Sequence, residues 1–171
     1  RWHRDAGRPV WMCALLHAGL IARMKRDNID HIGEEELDPN IDFYELGMHS
    51  TVEIENDDDL TDVIWLVNKL SNIRIFNDTE GIMNKSLIQE SGEMLVISQF
   101  TLMALTKKGN RPSYIRAAKH EIAKPLYENF LTIAEEVLGK PVASGVFGAD
   151  MKVSLVNDGP ITLVIDSKNR E

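Results

Sequence analysis

The apolar run over residues 94–102, MLVISQFTL, most strongly constrains how this chain can fold. It is rich in β-branched residues and is bounded by glycine-containing turns, which predicts a buried strand. Helical spacing of apolar residues predicts amphipathic helices over residues 58–71 and 124–138, and alternation predicts strands over residues 151–157 and 161–166. Because these strands are not regularly interleaved with helices, we expect a mixed or antiparallel α+β fold with two main helices, and not a doubly wound parallel sheet.

Other segments carry local signals. Residues 10–26 could form an amphipathic or buried helix, and residues 27–50 are acidic and loop-rich. Residues 74–76 are predicted to form a short strand before a turn at residues 77–81, and residues 113–119 look helical. No internal repeat is present, and a length of 171 residues favours one domain spanning the whole chain, 1–171.

Residue types exclude several kinds of active site. Cys13 is the only cysteine, so neither an internal disulfide framework nor a cysteine–histidine zinc site can form. The P-loop and GxGxxG patterns that cradle nucleotide phosphates are missing. None of the five histidines neighbours a nucleophile motif, which argues against a Ser-His-Asp or Cys-His site. We therefore expect neither a metal nor a cofactor.

The longest apolar run, residues 10–22, is interrupted by His17 and is too short to span a bilayer. It follows three arginines and loosely imitates a signal peptide, but no convincing small-residue cleavage site comes after it. We expect a cytoplasmic protein that makes no contact with a membrane.

The net charge of −8 is unevenly distributed along the chain. Residues 27–62 contain 14 acidic residues and no Lys or Arg, so the acidity lies in one segment. A basic run follows later, made of Lys107, Lys108, Arg111, Arg116, Lys119 and Lys124. Screening limits repulsion to about 8–10 Å, so a local basic patch can bind phosphates on an acidic protein. From charge alone, a solvated surface remains the favoured interpretation of this run.

Three segments have compositions that suggest a site. Residues 98–101, Ser-Gln-Phe-Thr, place polar side chains in a run that should be core, although a strand with Gln99 and Thr101 on its wet face explains them equally well. Residues 107–113 form a basic turn before a predicted helix, and a helix N-terminus beside Lys and Arg suits a phosphate. Residues 157–160, Asn-Asp-Gly-Pro, break a strand and are most simply a tight turn.

Taken together, these segments resemble the D-aminoacyl-tRNA deacylases. The resemblance covers residues 51–167, and its most specific landmarks are SQFTL at residues 98–102 and NDGPIT at residues 157–162. Further landmarks in the family order are LSNIRIF at 70–76, GIMNKSL at 81–87, KGNRPS at 108–113 and GVFGADM at 145–151.

This resemblance implies an enzyme that hydrolyses the ester between a D-amino acid and the 3′-terminal adenosine of tRNA. Such an enzyme is a chiral proofreader of translation and also removes glycine from mischarged tRNA. The resemblance further implies a homodimer with a barrel-like α+β fold and active sites at the subunit interface. In the family, a cis Gly-Pro pair reaches into the partner's pocket and rejects L side chains, a role that falls here on Gly159 and Pro160. Met151 would lie near the amino-acid end of that pocket.

By the same resemblance, four residues would line the ester and adenosine pocket: Ser98, Gln99, Phe100 and Thr101. Backbone N–H groups around Phe100 could stabilise the developing oxyanion, and the 2′-hydroxyl of the tRNA would help to activate water. Thr101 as a nucleophile ranks second, because a hydroxyl needs a base and none is visible. The candidates for contacts with acceptor-stem phosphates are Lys107, Lys108 and Arg111, and such contacts would make binding salt-dependent.

Residues 1–50 depart from the family pattern, which opens with a strand of the type Val-Val-Ile-Gln-Arg-Val. Residues 21–26 could be a degraded version of that strand, with Arg23 replacing an arginine that supports the Gly-Pro loop. This register needs an insertion before Glu53. Alternatively, residues 1–50 are unrelated sequence and a barrel strand is missing or replaced. The rival hypothesis is therefore a non-catalytic tRNA-binding or inactive relative.

Overall fold

The computed structural model describes the backbone of residues 13–25 and 47–170. Side chains are described for residues 47–151, 153 and 161–170. The elements in chain order are β1 (Cys13–Lys25), β2 (Gly47–Glu53), α1 (Leu60–Asn72), β3 (Arg74–Asn77), β4 (Met83–Ser86), β5 (Glu93–Ser98), α2 (His120–Leu138), β6 (Ala143–Ser144) and β7 (Lys152–Asp166).

Five of the strands form one mixed sheet in the order β6-β5-β2-β1-β7. β1 runs antiparallel to β2 and to β7, whereas β5 is parallel to both β2 and β6. The short antiparallel pair β3–β4 stands apart from this sheet. The mixed α+β class with two main helices is thus confirmed. The five described strands form an open sheet, so the barrel-like closure is not seen among them.

The core lies between the helices and one face of the sheet. Alternate residues of β2 and β5 supply the sheet side of the core, including the buried Met48, Val52 and Val96. The helices contribute Val63, Leu66, Val67 and Leu70 from α1 and Tyr127, Phe130 and Ala134 from α2. The Tyr127 hydroxyl donates to the Val96 carbonyl oxygen at 2.9 Å, which ties α2 directly to β5.

The amphipathic helix predicted over residues 58–71 is confirmed as α1. Its N-cap is Asp59, whose side chain accepts the Thr61 N–H at 2.7 Å. The Asp62 carboxylate in turn accepts the Asp59 N–H at 3.1 Å and completes a capping box. Of the three successive acids before this helix, Asp59 therefore caps it by accepting one of its otherwise unpaired N–H groups, and Asp62 in the first turn completes the motif.

The second predicted helix is confirmed as α2, but its first residue differs. α2 ends at Gly139, whose φ of 67° is left-handed, as expected of a glycine that stops a helix. It begins at His120 and not at residue 124, so Pro125 lies in its second turn. Neither helix in the described part of the chain is long and apolar enough to cross a membrane.

The helix expected over residues 10–26 is wrong, because Cys13–Lys25 form β1. A short continuous apolar run fits either a strand or a buried helix, and periodicity alone does not separate the two. The loop expected over residues 27–50 falls mainly outside the described residues, and its last part begins β2. A Cβ atom at Gly47 would lie 2.8 Å from the Glu93 carbonyl oxygen, so this close approach to β5 requires glycine.

The two closing strands predicted from the sequence are one strand, β7. Its pairing with β1 shifts register between Ala18 and Leu20, which are opposite Ile161 and Asn157 respectively. Residues 158–160 are therefore accommodated as a bulge within β7 and do not separate two strands. The short strand predicted at residues 74–76 is confirmed as β3.

Acidic residues at the start of α1 also bind a lysine that follows β7. We call Asp58 and Asp62 the α1 acid pair; both are buried. The Lys168 ammonium forms an ion pair with the Asp62 carboxylate and donates to the Asp57 carbonyl oxygen at 3.3 Å. Burial raises the pKa of Asp58 to about 7, the Glu55 N–H hydrogen bond opposes this, and the charge of Asp62 adds to it.

Candidate active site

The strand expected to continue to Leu102 ends at Ser98, where the chain leaves the sheet. Ser98 is in register with Val52 of β2, and the Gln99 N–H donates to the Val52 carbonyl oxygen at 2.9 Å. We call residues 99–103 the site turn. Its polar side chains lie in a turn at the carboxyl end of β5 and not on the wet face of a strand.

The site turn has an internal hydrogen bond and an exposed ring. The Gln99 side-chain amide donates to the Thr101 hydroxyl oxygen. Phe100 between them is 62% exposed, and its ring meets Tyr114 edge to face with centroids 5.3 Å apart. Within the described part of the chain, the backbone N–H groups of Phe100 and Thr101 have no hydrogen-bond partner. The turn therefore offers two adjacent backbone donors that no described protein group uses.

Glu53, the last residue of β2, belongs to this site although sequence reasoning missed it. The residue is 2% exposed, and Oε2 accepts the Met103 N–H at 2.6 Å. Burial raises the pKa of the Glu53 carboxyl to about 7; the hydrogen bond from Met103 lowers it, and the charge of Glu55 raises it further. The available signal was the position of this acid between two β-branched apolar residues. Neither here nor elsewhere in the described residues do three His, Cys, Asp or Glu side chains form a group suited to a metal.

The predicted phosphate-binding residues lie in a loop beyond the site turn. Leu105 and Ser113 close this loop through two backbone hydrogen bonds of 2.8 and 3.0 Å. Its exposed basic residues are Lys107, Lys108 and Arg111. The helix expected over residues 113–119 is wrong, because the backbone there pairs elsewhere: the Ala118 N–H donates to the Ile54 carbonyl oxygen at 2.8 Å. The phosphate site at a helix N-terminus is therefore not formed at residue 113.

The remaining predicted site residues belong to β1 and β7 or lie beside them. Met151 precedes β7 and is half-buried. The Gly159–Pro160 pair falls in the β7 bulge, and Arg23 of β1 is in register with Ser154 of β7. The side chains of Arg23 and Pro160 are outside the described residues, so their roles stay predictions. The structure brings residues 98–101 together and relates them to the Gly-Pro pair through strand register alone.

A family model described as D-Tyr-tRNA(Tyr) deacylase matches residues 21–166. The match starts at Ile21, so the family pattern extends to the segment that contains Arg23 and is not confined to residues 51–167. A protein of Bacteroides thetaiotaomicron named D-aminoacyl-tRNA deacylase is 58% identical over 125 residues, which are 73% of this chain and 83% of that protein. Its namesake in Flavobacterium johnsoniae is 47% identical over 152 residues, covering 89% and 98%.

Two solved structures share the fold of this chain. A chain described as c-Myc DNA Unwinding Element Binding Protein superimposes with a TM-score of 0.73 at 28% identity, covering 90% of this chain and 97% of its own. A probable eukaryotic D-amino acid tRNA deacylase gives a TM-score of 0.71 at 18% identity over 91% and 99% of the chains, which supports the fold alone. The chain therefore belongs to the D-Tyr-tRNA(Tyr) deacylase family.

Proposed function

We propose that this protein hydrolyses the ester bond of D-aminoacyl-tRNA and of tRNA mischarged with glycine, as a chiral proofreader of translation. The observation that carries the proposal is the site turn, which offers the unused N–H groups of Phe100 and Thr101 at the end of β5. An oxyanion hole needs two such donors fixed in place. The family to which the chain belongs supplies the substrate class. The activity is expected in the cytoplasm, where charged tRNA is used.

The proposed reaction uses water and no protein nucleophile. Water adds to the ester carbonyl carbon, the oxyanion accepts hydrogen bonds from the two N–H groups, and the bond from that carbon to the 3′-oxygen of adenosine then breaks. The amino acid leaves as a carboxylate and the adenosine oxygen takes up a proton. The neighbouring 2′-hydroxyl of the substrate assists the water. Among the described residues, the side chain of Thr101 hydrogen-bonds only to the amide of Gln99, and an amide is no base.

Register supports a homodimer in which each Gly-Pro pair serves the partner's site. Across the sheet, Ser98 of β5 is in register with Val52 of β2. Val52 is in register with Ala14 of β1, which is in register with Ile165 of β7. Three strand spacings make about 14 Å, and the five to six residues from Ile165 back to Gly159–Pro160 add roughly 18 Å along β7. A single substrate would not bridge that separation within one chain. The partner's Gly159 and Pro160 would exclude an L side chain, with Met151 beside the amino acid and Arg23 behind the loop.

The exposed Lys107, Lys108 and Arg111 are proposed to contact phosphates of the acceptor end. They lie on the loop that follows the site turn in the chain, so an RNA whose terminal adenosine occupies the site would extend past them. Their contribution would be lost at high salt, because phosphate contacts release counterions. The rival hypothesis, a non-catalytic tRNA-binding relative, depended on a missing first strand. β1 occupies that place between β2 and β7, which weighs against it.

The test is release of amino acid from D-Tyr-tRNA, L-Tyr-tRNA and Gly-tRNA. We expect hydrolysis of the D and glycyl esters and none of the L ester. Gly159→Ala should reduce turnover of the D ester by crowding the pocket. Thr101→Ala should retain most activity, as should the control Thr132→Ala, whose hydroxyl only caps the Glu128 carbonyl oxygen on α2. If a folded wild-type dimer releases none of the three amino acids, the proposal is wrong and the binding relative replaces it.

A further inference from the structure

The candidate site lies in a long loop. Most contacts that hold this loop against the rest of the protein are made by one short stretch of chain. We call residues 99–118 the site loop. It contains the site turn, the basic residues and Tyr114. Its anchors are in residues 52–56, which end β2 and follow it. The loop would otherwise have little regular structure to fix it, so these anchors decide where its backbone donors point.

Four contacts to residues 52–56 use backbone carbonyl oxygens, an ion pair in which Glu55 is buried, and the amide side chain of Asn56. The Val52 and Ile54 carbonyl oxygens accept the N–H groups of Gln99 and Ala118 at 2.9 and 2.8 Å. Glu55 pairs with Arg116 at 2.9 Å, and the Asn56 side chain donates to the Arg116 carbonyl oxygen at 3.4 Å. These contacts fasten the first residue of the loop and its last three residues. None of them reaches the far end of the site turn, at Met103.

Glu53 makes the contact that does. Its carboxylate accepts the Met103 N–H at 2.6 Å, at the far end of the turn from Gln99. Val52 and Glu53 therefore accept hydrogen bonds from the two ends of the turn, on either side of Phe100 and Thr101. A carboxylate is acceptor-only when ionised and makes stronger hydrogen bonds to N–H groups than a neutral oxygen does. The turn is accordingly best fixed when Glu53 carries its charge.

We propose that ionised Glu53 is a positioning residue of the deacylation reaction: by holding the Met103 N–H it fixes the site turn, so that the Phe100 and Thr101 N–H groups face the reacting carbonyl. The role in catalysis rests on the proposed function; the role in fixing the turn does not. Glu53 touches no substrate in this scheme and acts only through the backbone it holds.

Charged neighbours set the pH range in which this occurs. Glu55 on the same stretch of chain and Arg116 from the site loop act on Glu53 in opposite directions. Cys13 of β1 is opposite Glu53 in register, and His49 is on the same side of β2 four residues earlier. With its pKa raised to about 7 by burial, the Glu53 carboxyl loses its charge as the pH falls below 7. The turn should then loosen and turnover should fall.

The experiment combines an amide titration with kinetics on the full-length protein. The ¹⁵N–¹H resonance of Met103 is followed from pH 5.5 to 8.5 in the wild type, Glu53→Gln and Glu135→Gln. The last is a matched control, because the Glu135 carboxylate also accepts a backbone N–H, that of Val142 at 3.2 Å, far along α2 from the site. The dependence of kcat on pH with D-Tyr-tRNA is measured for the same proteins and for Glu53→Ala.

We expect the Met103 amide to titrate near pH 7 in the wild type and in Glu135→Gln, and not in Glu53→Gln. The wild-type kcat should rise with the same midpoint, while Glu53→Gln should be slower and flat with pH. Glu53→Ala should lower kcat by about 10- to 100-fold with little change in KM, as for misplaced oxyanion donors.

The proposal is overturned if Glu53→Gln keeps the wild-type amide titration or the wild-type pH profile, since another group, such as His49, would then be responsible. A wild-type protein that hydrolyses no ester removes the catalytic half of the proposal together with the proposed function. In that case the Met103 titration still decides whether Glu53 holds the turn, so the two failures are distinguishable.

Discussion

Two regions of this protein bury acidic side chains, and they do so to different ends. The α1 acid pair starts a helix and binds Lys168 from beyond the last strand, so its partners include a cation and a helix terminus. Glu53 ends a strand and accepts the Met103 N–H from the site turn. Burial raises a pKa to about 7 in both regions, on Asp58 and on Glu53. Burial of a carboxyl is unfavourable in both regions. In one it accompanies the attachment of Lys168 to α1, and in the other it accompanies the hydrogen bond that holds the site turn.

The largest expected effect comes from removing Lys168, the cation that binds the α1 acid pair. Lys168→Met should lower the free energy of unfolding by about 3 kcal/mol, because it leaves the buried Asp62 carboxylate without its counter-charge. Urea unfolding at pH 8 measures this, and deacylation per folded molecule should not change. The control Lys124→Met breaks an exposed pair with Glu128 at 3.8 Å and should cost less than about 0.5 kcal/mol. Equal losses in the two variants would erase the distinction.

The next effect is the dependence of stability on pH. The pKa of the Glu53 carboxyl is raised from 4.5 to about 7, so the folded state holds a proton that the unfolded state has released between these values. Its contribution to stability is complete below pH 4.5 and is lost as the pH rises through 7. Relative to wild type, Glu53→Gln should therefore become more stable by about 2 kcal/mol between pH 5 and pH 8.

Asp58→Asn provides the comparison, because the pKa of Asp58 is raised from 3.8 to about 7 by the same cause. It should show the same sign in thermal unfolding at the two pH values. Only Glu53→Gln should also lose activity. If both variants lose activity, or if neither does, it is wrong to assign Glu53 to the candidate site and Asp58 to stability alone.

The smallest effect tests the neighbours of Glu53. The Arg116 charge lowers the pKa of Glu53, so Arg116→Gln should move the midpoint of the Met103 amide titration upward by a fraction of a pH unit. Lys140 pairs with Glu93 at 3.8 Å, at the opposite end of β5 from the turn. Lys140→Gln should therefore leave the midpoint unchanged. A downward movement in Arg116→Gln would show that the charges around Glu53 are wrongly assigned.

Local patterns in the sequence were enough for α1, α2 and the buried part of β5. Caps at Asp59 and Gly139 and apolar spacing act within a few residues, so they can be recognised without the fold. Family landmarks indicated residues 98–101, and the structure adds that they form a turn. What failed depended on distant partners. Residues 113–119 pair with Leu105 and with the two residues that follow β2, and β1 is extended because two strands flank it.

Glu53 shows the same limit most clearly. In the sequence it is one of 14 acids in a segment without Lys or Arg, and a solvated surface is the ordinary interpretation of such a run. Its partner Met103 is 50 residues away, and burial by the folded sheet is what distinguishes it from its neighbours. Strand assignment of residues 47–53 would have been the necessary first step.

The bulge in β7 also bears on how this protein avoids uncontrolled association. β7 is the outer strand of the described sheet and runs for 15 residues, with Val164 exposed on it. A smooth edge of that length would be a template onto which further chains could add strand by strand. Pro160 has no N–H to offer, and a bulge bends the strand that contains it, so the outer edge is divided into two shorter stretches. The Gly-Pro landmark of residues 159–160 thus also interrupts the outer edge of the described sheet.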